Sequence, residues 1–164
     1  MDVSLPRVGI GYDIHRLAAG RRLVLGGVEI PFDRGLNGHS DADVLLHAIM
    51  DALLGAAGLG DIGQHFPPGD PLYKDASSLA LLARVAAFIG GLGYTVGNVD
   101  ATVVAERPRL SPYIPEICRL IARTLGIPEE SVGIKATTNE GLGPLGANEG
   151  IAAWAVALIA PVGA

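Results

Sequence analysis

Hydrophobic and polar positions along the chain follow two periods, and the period changes from one segment to the next. A period of two, enriched in Val, Thr and Tyr, is typical of half-buried strands. It predicts strands over residues 7–14, 94–106 and 132–138. A further segment, 22–31, reads as a hairpin because Gly26 and Gly27 interrupt two short apolar runs.

Three other segments place apolar residues three and four positions apart, which is the spacing of an amphipathic helix. These segments are 39–58, 77–89 and 112–125, with proline-rich loops predicted at 66–71 and 107–112. Ser40 or Asp41 is the predicted cap of the first helix. Gly126 is the predicted stop of the last one.

The C-terminal segment 151–160 is rich in alanine, which favours a helix by propensity. Its larger residues nevertheless alternate with the alanines, since Trp154, Val156 and Leu158 occupy every second position. This period of two predicts a strand. One face of the strand would carry only small side chains, and we expect that face to let another surface approach closely.

Strands and helices alternate loosely along 164 residues, a length that suits one domain with a substantial core. No internal repeat or linker divides the sequence, so we expect residues 1–164 to form a single domain. The predicted fold class is α+β, a two-layer α/β sandwich with a mixed sheet of about four strands and helices packed on one face.

Composition narrows the classes of function. The formal net charge of −5 argues against a nucleic-acid partner, because such proteins usually carry a basic balance. Cys118 is the single cysteine, so no disulfide can form within the chain, and a reducing compartment fits. The sequence shows no recognisable signal or transit peptide and no apolar run long enough to span a membrane. We therefore expect a cytoplasmic protein without a membrane partner.

Candidate chemistry begins with Asp13 and His15, whose side chains project from one face of a predicted strand. His47, on the following predicted helix, is the next ligand type, although a solvated surface histidine is the alternative explanation for it. The three residues supply two nitrogens and one oxygen, a donor set that zinc accepts with a fourth position left for substrate. A ligating histidine also needs an acceptor for its other nitrogen, and Asp43 or Asp51 is the predicted acceptor.

Two further segments suggest phosphate binding. His39 and Ser40 stand at the predicted start of a helix, where free N–H groups and the helix dipole favour anions. The segment "KATTNEGLG" at 135–143 follows a predicted strand with hydroxyls, a carboxylate and open backbone amides. Its carboxylate, Glu140, suits magnesium, which takes one or two carboxylates and completes its coordination with substrate phosphates.

Four segments together carry a resemblance that none carries alone. They are "GYDIHRL" at 11–17, "HSDADVLLHAIMDALLGAAGLGDIGQHFP" at 39–67, "GNVDATVVAERPRLSP" at 97–112 and "KATTNEGLG" at 135–143. In order and spacing they resemble the 2-C-methyl-D-erythritol 2,4-cyclodiphosphate synthase family, from about residue 7 to residue 160. The long second block is the most diagnostic, because neither periodicity nor composition demands that string.

The resemblance implies a lyase of the non-mevalonate route to isoprenoids. Such an enzyme cyclises 4-diphosphocytidyl-2-C-methyl-D-erythritol 2-phosphate and releases CMP, because the 2-phosphate of the substrate attacks the β-phosphorus of its diphosphate. Members of the family are homotrimers with active sites between adjacent subunits. The resemblance therefore implies a homotrimer of single catalytic domains that takes a small-molecule cytidine diphosphate substrate. It also implies a zinc ion in each subunit, and magnesium or manganese bound with the substrate.

Matched position by position, the resemblance implies residue roles. The three candidate metal ligands fall on the family's zinc ligands, and Glu140 falls on its magnesium ligand. His39 and Thr138 match positions that stabilise the transition state, and they would be the catalytic residues. The implied substrate-binding residues are Asp13, His15, His39, Ser40, Asp61, Gly63, Phe66, Asp70, Ala105, Pro108, Arg109, Leu110, Ser111, Thr137, Thr138 and Glu140.

Within that set the resemblance separates parts of the substrate. Asp61 and Gly63 match a turn that contacts the ribose, and residues 66–70 match a flexible loop that contacts the substrate. Residues 105–111 match the cytosine pocket, where backbone atoms read the base and Thr137 lies nearby.

Two residues depart from the family pattern, and two other functions stay open. Ala147 stands where an arginine is often found, and Pro68 stands where an aspartate often follows "FP". A zinc-dependent phosphohydrolase would use the same Asp/His/His set to activate water. A catalytically inactive trimeric nucleotide-binding module would keep the fold and lack turnover.

Overall fold

Four strands, a group of helices and then alternating strands and helices follow one another along residues 5–163, the part of the chain that the computed structural model describes. The strands are β1 (Arg7–Ala19), β2 (Leu23–Leu25), β3 (Val28–Ile30), β4 (Arg34–Leu36), β5 (Tyr94–Val104), β6 (Val132–Thr137) and β7 (Gly150–Pro161). The helices are α1 (Val44–Ala57), α2 (Ile62–His65), α3 (Ser78–Gly91), α4 (Ile114–Leu125) and α5 (Gly143–Gly146), with 3-10 turns at Pro71–Tyr73 and Glu129–Ser131. The ends of the predicted domain, residues 1–4 and 164, lie outside the described residues.

One five-stranded sheet organises these elements, in the order β4-β1-β7-β5-β6. Neighbouring strands are antiparallel except β5 and β6, which run parallel, so the sheet is mixed. The predicted hairpin is present as β2 and β3. The α+β class is confirmed, but the expectation of about four strands is wrong, because β4 spans only three residues and is too short to show a period.

The two faces of the sheet carry residues of different size. On β7, as the alternation predicted, Ala153, Ala155 and Ala157 are at most 1% exposed, whereas Trp154 and Val156 are 41% and 45% exposed. The surface that approaches the small residues is α1 of the same chain. It is therefore the face with large residues, and not the small-residue face, that is available to another subunit.

Close packing of α1 on β1 requires glycine at two positions. A Cβ added to Gly11 would lie 1.9 Å from the carbonyl oxygen of Ala48, and one added to Gly9 would lie 2.0 Å from that of Ala52. No side chain fits in such a gap, so only glycine permits this separation of the backbones. The same approach carries His47, the neighbour of Ala48, onto β1.

The start of α1 differs from the prediction. The helix begins after residue 43, and its N-cap is Asp43 instead of Ser40 or Asp41. The fully buried carboxylate of Asp43 accepts hydrogen bonds from the N–H of Leu46 and from the two glycines of the hairpin turn. Burial raises the pKa of Asp43 to about 6. Bonds to a distant turn thus favour Asp43 over the two predicted caps.

The remaining helices confirm the predicted segments, apart from two short ones. α3 and α4 fall where helical spacing predicted them, and Gly126 ends α4 in the left-handed conformation, with φ of 69°. α2 and α5 have four residues each, which is too short for a hydrophobic period to reveal. Within residues 5–163, the structure contains no helix with the length and apolar character needed to cross a bilayer.

We expect Gly11→Ala to lower the free energy of unfolding by at least about 1–3 kcal/mol, because the new methyl group overlaps the backbone of α1. Gly90→Ala is the matched control, since Gly90 lies in α3 with open space around its Cα. The control should be neutral or stabilising by up to about 1 kcal/mol. Urea denaturation at one fixed protein concentration measures both, and equal stability of the two variants would contradict this account of the packing.

Candidate active site

Three side chains from two elements meet where α1 crosses β1. Asp13 and His15 project from one face of β1, as predicted, and His47 reaches them from α1. Asp13 Oδ2 lies 2.8 Å from His15 Nε2 and 3.0 Å from His47 Nδ1. The two imidazole nitrogens are 3.3 Å apart. These residues form a group whose ligand atoms all lie within 4.8 Å of one another.

This donor set fits zinc in separation and in proton placement. Ligand atoms about 2.0 Å from a tetrahedral ion lie about 3.3 Å from one another, close to the separations found here. His15 Nδ1 lies 2.8 Å from the carbonyl oxygen of Asn37. Because a carbonyl oxygen only accepts, Nδ1 carries a proton, and Nε2 is the nitrogen that a metal can use. His47 is only 8% exposed, so it is not the solvated histidine that the sequence left open.

The carboxylate of Asp13 and the imidazole of His15 shift each other's pKa. Burial alone would raise the pKa of Asp13, but hydrogen bonds from His15 and His47 outweigh it and hold the pKa well below its usual range. Burial alone would lower the pKa of His15, but the bond to Asp13 outweighs it, and that pKa is raised. The cluster therefore favours an ionised carboxylate beside a histidine that holds its proton more tightly than usual.

The predicted hydrogen-bond acceptors of His47 are wrong. The carboxylate of Asp43 caps α1, and that of Asp51 accepts a bond from the N–H of Ile62 at 2.8 Å. Backbone N–H groups at the starts of α1 and α2 thus occupy both carboxylates. His47 Nε2 instead lies 3.2 Å from Oγ of Ser40 and 3.2 Å from Oγ of Ser78.

A cavity of about 230 Å³ opens beside the cluster, and we call it the metal cavity. Its lining consists of Asp13, His15, His39, Ser40, His47, Ile62, Gly63, Phe66, Pro68, Tyr73 and Leu81. Asp61 caps α2, two residues before Gly63. The carbonyl oxygen of Asp70 lies 3.2 Å from His39 Nε2. The structure thus gathers most of the site residues predicted between positions 13 and 70, although His39 does not stand at a helix N-terminus because α1 starts later.

A second cavity, of about 610 Å³, lies across the sheet, and we call it the loop cavity. Its lining consists of Ala105, Glu106, Arg107, Pro108, Arg109, Leu110, Ser111, Ala136, Thr137, Thr138, Gly146, Ala147 and Asn148. All of the residues predicted for the cytosine pocket are in this set, together with Thr138. The metal cavity and the loop cavity share no lining residue.

Glu140 lines neither cavity and sits in the loop after β6, with φ of 52°. Its N–H donates to Thr138 Oγ1 at 3.2 Å. Glu106, which the sequence did not single out, accepts hydrogen bonds at Oε1 from the N–H of Asn139 at 2.8 Å and of Gly141 at 3.3 Å. A residue of the loop cavity therefore holds the loop that carries Glu140.

The two cavities belong to different parts of the sheet. Strand register aligns Asp13 with Ala153, Ala153 with Val103, and Val103 with Ala136. Three strand spacings, about 14 Å, therefore separate Asp13 on β1 from Ala136 on β6. The Asp13, His15 and His47 side chains and the loop cavity are therefore two distinct sites within one chain.

A mixed α+β sandwich with an Asp/His/His donor set and a second cavity defines a candidate metal-binding enzyme. The model of the YgbB family matches residues 6–160, and the chain belongs to this family, that of the 2-C-methyl-D-erythritol 2,4-cyclodiphosphate synthases. The resemblance inferred from the four sequence segments is thereby confirmed.

Relatives and solved structures agree with this membership. The synthase of that name from Gloeobacter violaceus is 61% identical over 153 residues, covering 93% of this chain and 94% of the relative. The one from Syntrophomonas wolfei is 64% identical, covering 93% and 98%. IspF of Plasmodium falciparum, solved as a CDP complex, superposes with a TM-score of 0.85 at 35% identity, covering 95% of this chain and 96% of that one.

We expect His47→Ala to weaken zinc binding by more than about 100-fold, because two protein donors would remain and changes to outer partners alone cost up to that factor. The matched control is His39→Ala, which removes a histidine of the same cavity that lies outside the donor cluster. Both variants should keep the far-ultraviolet circular dichroism of the parent. Elemental analysis and chelator competition measure zinc, and stoichiometric zinc in His47→Ala would remove His47 from the site.

Proposed function

We propose that the chain converts 4-diphosphocytidyl-2-C-methyl-D-erythritol 2-phosphate to 2-C-methyl-D-erythritol 2,4-cyclodiphosphate and CMP, as a lyase of the non-mevalonate isoprenoid pathway. The observation that carries this proposal is the Asp13, His15 and His47 cluster, which opens onto a cavity in a chain about 60% identical to synthases of that name. We propose further that residues 1–164 act as a single catalytic domain.

In this reaction the protein has two main tasks, which are to align the 2-phosphate with the β-phosphorus and to neutralise the charge of the diphosphate. An oxygen of the substrate's 2-phosphate forms a bond to the β-phosphorus. The bond from that phosphorus to the oxygen shared with the α-phosphorus breaks, and CMP leaves with the shared oxygen. Nucleophile and target belong to one molecule, which supplies proximity. A phosphate is already anionic near neutral pH, since its second pKa is about 6, so no strong general base is required.

We assign His39 and Thr138 to stabilisation of the charge that develops at phosphorus. His39 lines the metal cavity and Thr138 lines the loop cavity, so the two residues approach a bound diphosphate from different sides of the site. Ser40, beside His39, would contact the methylerythritol phosphate. Each of these groups supplies a hydrogen-bond donor to phosphate oxygen.

We assign zinc to Asp13, His15 and His47, and magnesium or manganese to Glu140 when substrate is present. Glu140 is exposed, and its hydrogen bonds in the structure are to Thr138. A single carboxylate of this kind suits an ion whose remaining ligands come from substrate phosphates and water. When bound, these ions act as Lewis acids on diphosphate oxygens.

The rest of the substrate is assigned to both cavities. Asp61, Gly63, Phe66 and Asp70 would contact its ribose and methylerythritol parts from the edge of the metal cavity. The cytosine would occupy the loop cavity, against residues 105–111 and Thr137. The backbone groups of this loop can read the edge of a base.

We propose that the chain works as a homotrimer with active sites between subunits. Val8, Ile10, Tyr12 and Ile14 are 46–71% exposed on β1, beside the exposed large residues of β7. Contiguous apolar surface of this kind marks an interface. A substrate held between subunits could use the metal cavity of one chain and the loop cavity of the next. A cytoplasmic location, and the absence of nucleic-acid and membrane partners, stay predictions from the sequence.

Phosphorus NMR of the products tests the activity, and Glu140→Gln tests the magnesium assignment. We expect the parent protein to yield CMP and a cyclic diphosphate. In Glu140→Gln, turnover should fall at least about tenfold, because one anionic ligand is lost where charge develops. Zinc content and CMP affinity should change little, and raised magnesium should restore part of the rate.

Each rival function predicts a different result in the same assay. A ring-opened phosphate product would identify a phosphohydrolase. Stoichiometric zinc and CMP binding without turnover would identify an inactive binding module. Loss of zinc in Glu140→Gln, or an unchanged rate at limiting magnesium, would refute the role assigned to Glu140.

The trimer can be tested by placing a charge on the exposed sheet face. Ile10→Glu should dissociate the assembly, because an interface would bury the new carboxylate without a partner. Leu92→Glu is the control, since Leu92 is 50% exposed at the end of α3, away from that face. Light scattering measures the mass, and a monomeric parent with full activity would contradict the proposal.

A further inference from the structure

The hydrogen bonds behind His47 lead away from the metal cavity into the protein. Ser78 is fully buried at the start of α3, and its Oγ lies 3.2 Å from His47 Nε2. The same Oγ lies 2.5 Å from Asp41 Oδ1, and the Ser78 N–H donates to Asp41 Oδ2 at 2.8 Å. Asp41, Ser78 and His47 therefore form one connected chain of polar groups, which we call the Asp41–Ser78–His47 chain.

The direction of each hydrogen bond in this chain follows from the number of protons available. An ionised carboxylate only accepts, so the single hydroxyl proton of Ser78 is committed to Asp41. Ser78 Oγ can then act only as an acceptor toward His47 Nε2. The arrangement holds a proton on Nε2, so when a metal replaces the proton that Nδ1 donates to Asp13, the lone pair of Nδ1 is the one available to the metal.

Ser40 is the competing partner of the same nitrogen, also at 3.2 Å. Its Oγ accepts a hydrogen bond from the N–H of Ala42, and it lines the metal cavity, where substrate can draw on its hydroxyl proton. Ser78 is not among the residues that line the cavity. Of the two serines, Ser78 alone has a carboxylate that fixes the direction of its hydroxyl, so only Ser78 imposes a proton position on His47.

We propose that Ser78 and Asp41 are positioning residues that hold His47 in the tautomer and orientation required for metal binding through Nδ1, and that they thereby set the metal affinity. This proposal rests on the metal site proposed above. It assigns a function to two residues on which the reaction itself does not draw. It also explains why Asp41, although placed near the start of α1, does not cap that helix.

The structure offers variants that separate positioning from folding. Ser78→Ala removes the acceptor of the Nε2 proton but keeps the backbone N–H that donates to Asp41, so the bond between Asp41 and the first residue of α3 is retained. Ser77→Ala is the matched control, because Ser77 is the neighbouring serine and makes no side-chain capping bond. Asp41→Asn removes the charge that directs the Ser78 hydroxyl.

The experiment titrates zinc into the metal-free full chain by chelator competition, beside urea unfolding of the same metal-free samples. Ser78→Ala should bind zinc about 10–100-fold more weakly than the parent, with metal-free stability close to that of Ser77→Ala. Ser77→Ala should bind as the parent does. The double variant of Asp41→Asn and Ser78→Ala should lose little more affinity than Ser78→Ala alone, because the two residues act as one unit.

Nitrogen-15 NMR of the zinc-loaded imidazoles adds a readout that a purely structural role would not change. The Nε2 proton of His47 should exchange slowly with solvent in the parent and faster in Ser78→Ala. Unchanged zinc affinity in Ser78→Ala would overturn this inference and leave the metal site intact. The same would follow if Ser40→Ala lost zinc affinity and Ser78→Ala did not. A parent protein that binds no stoichiometric zinc would overturn both proposals.

Discussion

The contact between α1 and β1 is the constraint on which the rest of the molecule depends. Gly9 and Gly11 leave no room for side chains, so helix and strand backbones touch, and the alanines of β7 extend the same shallow surface. A larger residue in this row would push the helix outward. His47 would then withdraw from Asp13 and His15, and the donor cluster would lose its third member. The close packing of α1 on β1 is therefore also what brings His47 to Asp13 and His15.

The part of the site that follows local rules could be predicted from the sequence. Asp13 and His15 share a face because strands alternate, and the same alternation revealed β7 despite its alanines. The start of α1 could not be predicted, because several adjacent residues satisfy the capping rule and only bonds to a distant turn select Asp43. Ser78 was missed for the same reason, since no spacing rule links positions 31 residues apart.

The three side chains of the donor cluster are held in place by the fold and by one another. A half-buried carboxylate between two imidazoles would be costly in isolation, yet each group stabilises the charge of its neighbour, as the opposed pKa shifts of Asp13 and His15 indicate. Protons hold the positions that a cation would take. A cation bound by these atoms would displace those protons, so acid would oppose its binding.

The two faces of strand β1 have different roles, because alternate residues point to opposite sides of the sheet. One set, Gly9, Gly11, Asp13 and His15, seats the helix and supplies ligand atoms, whereas the intervening set is large, apolar and turned outward. A slip of one residue against β7 would exchange the two sets. Isoleucine and tyrosine would then collide with the helix, and the donors would face away from His47. A chain with β1 in the wrong register would therefore lose both its core packing and its donor cluster. The packing of α1 and the positions of the donor atoms each require the same register of β1 against β7.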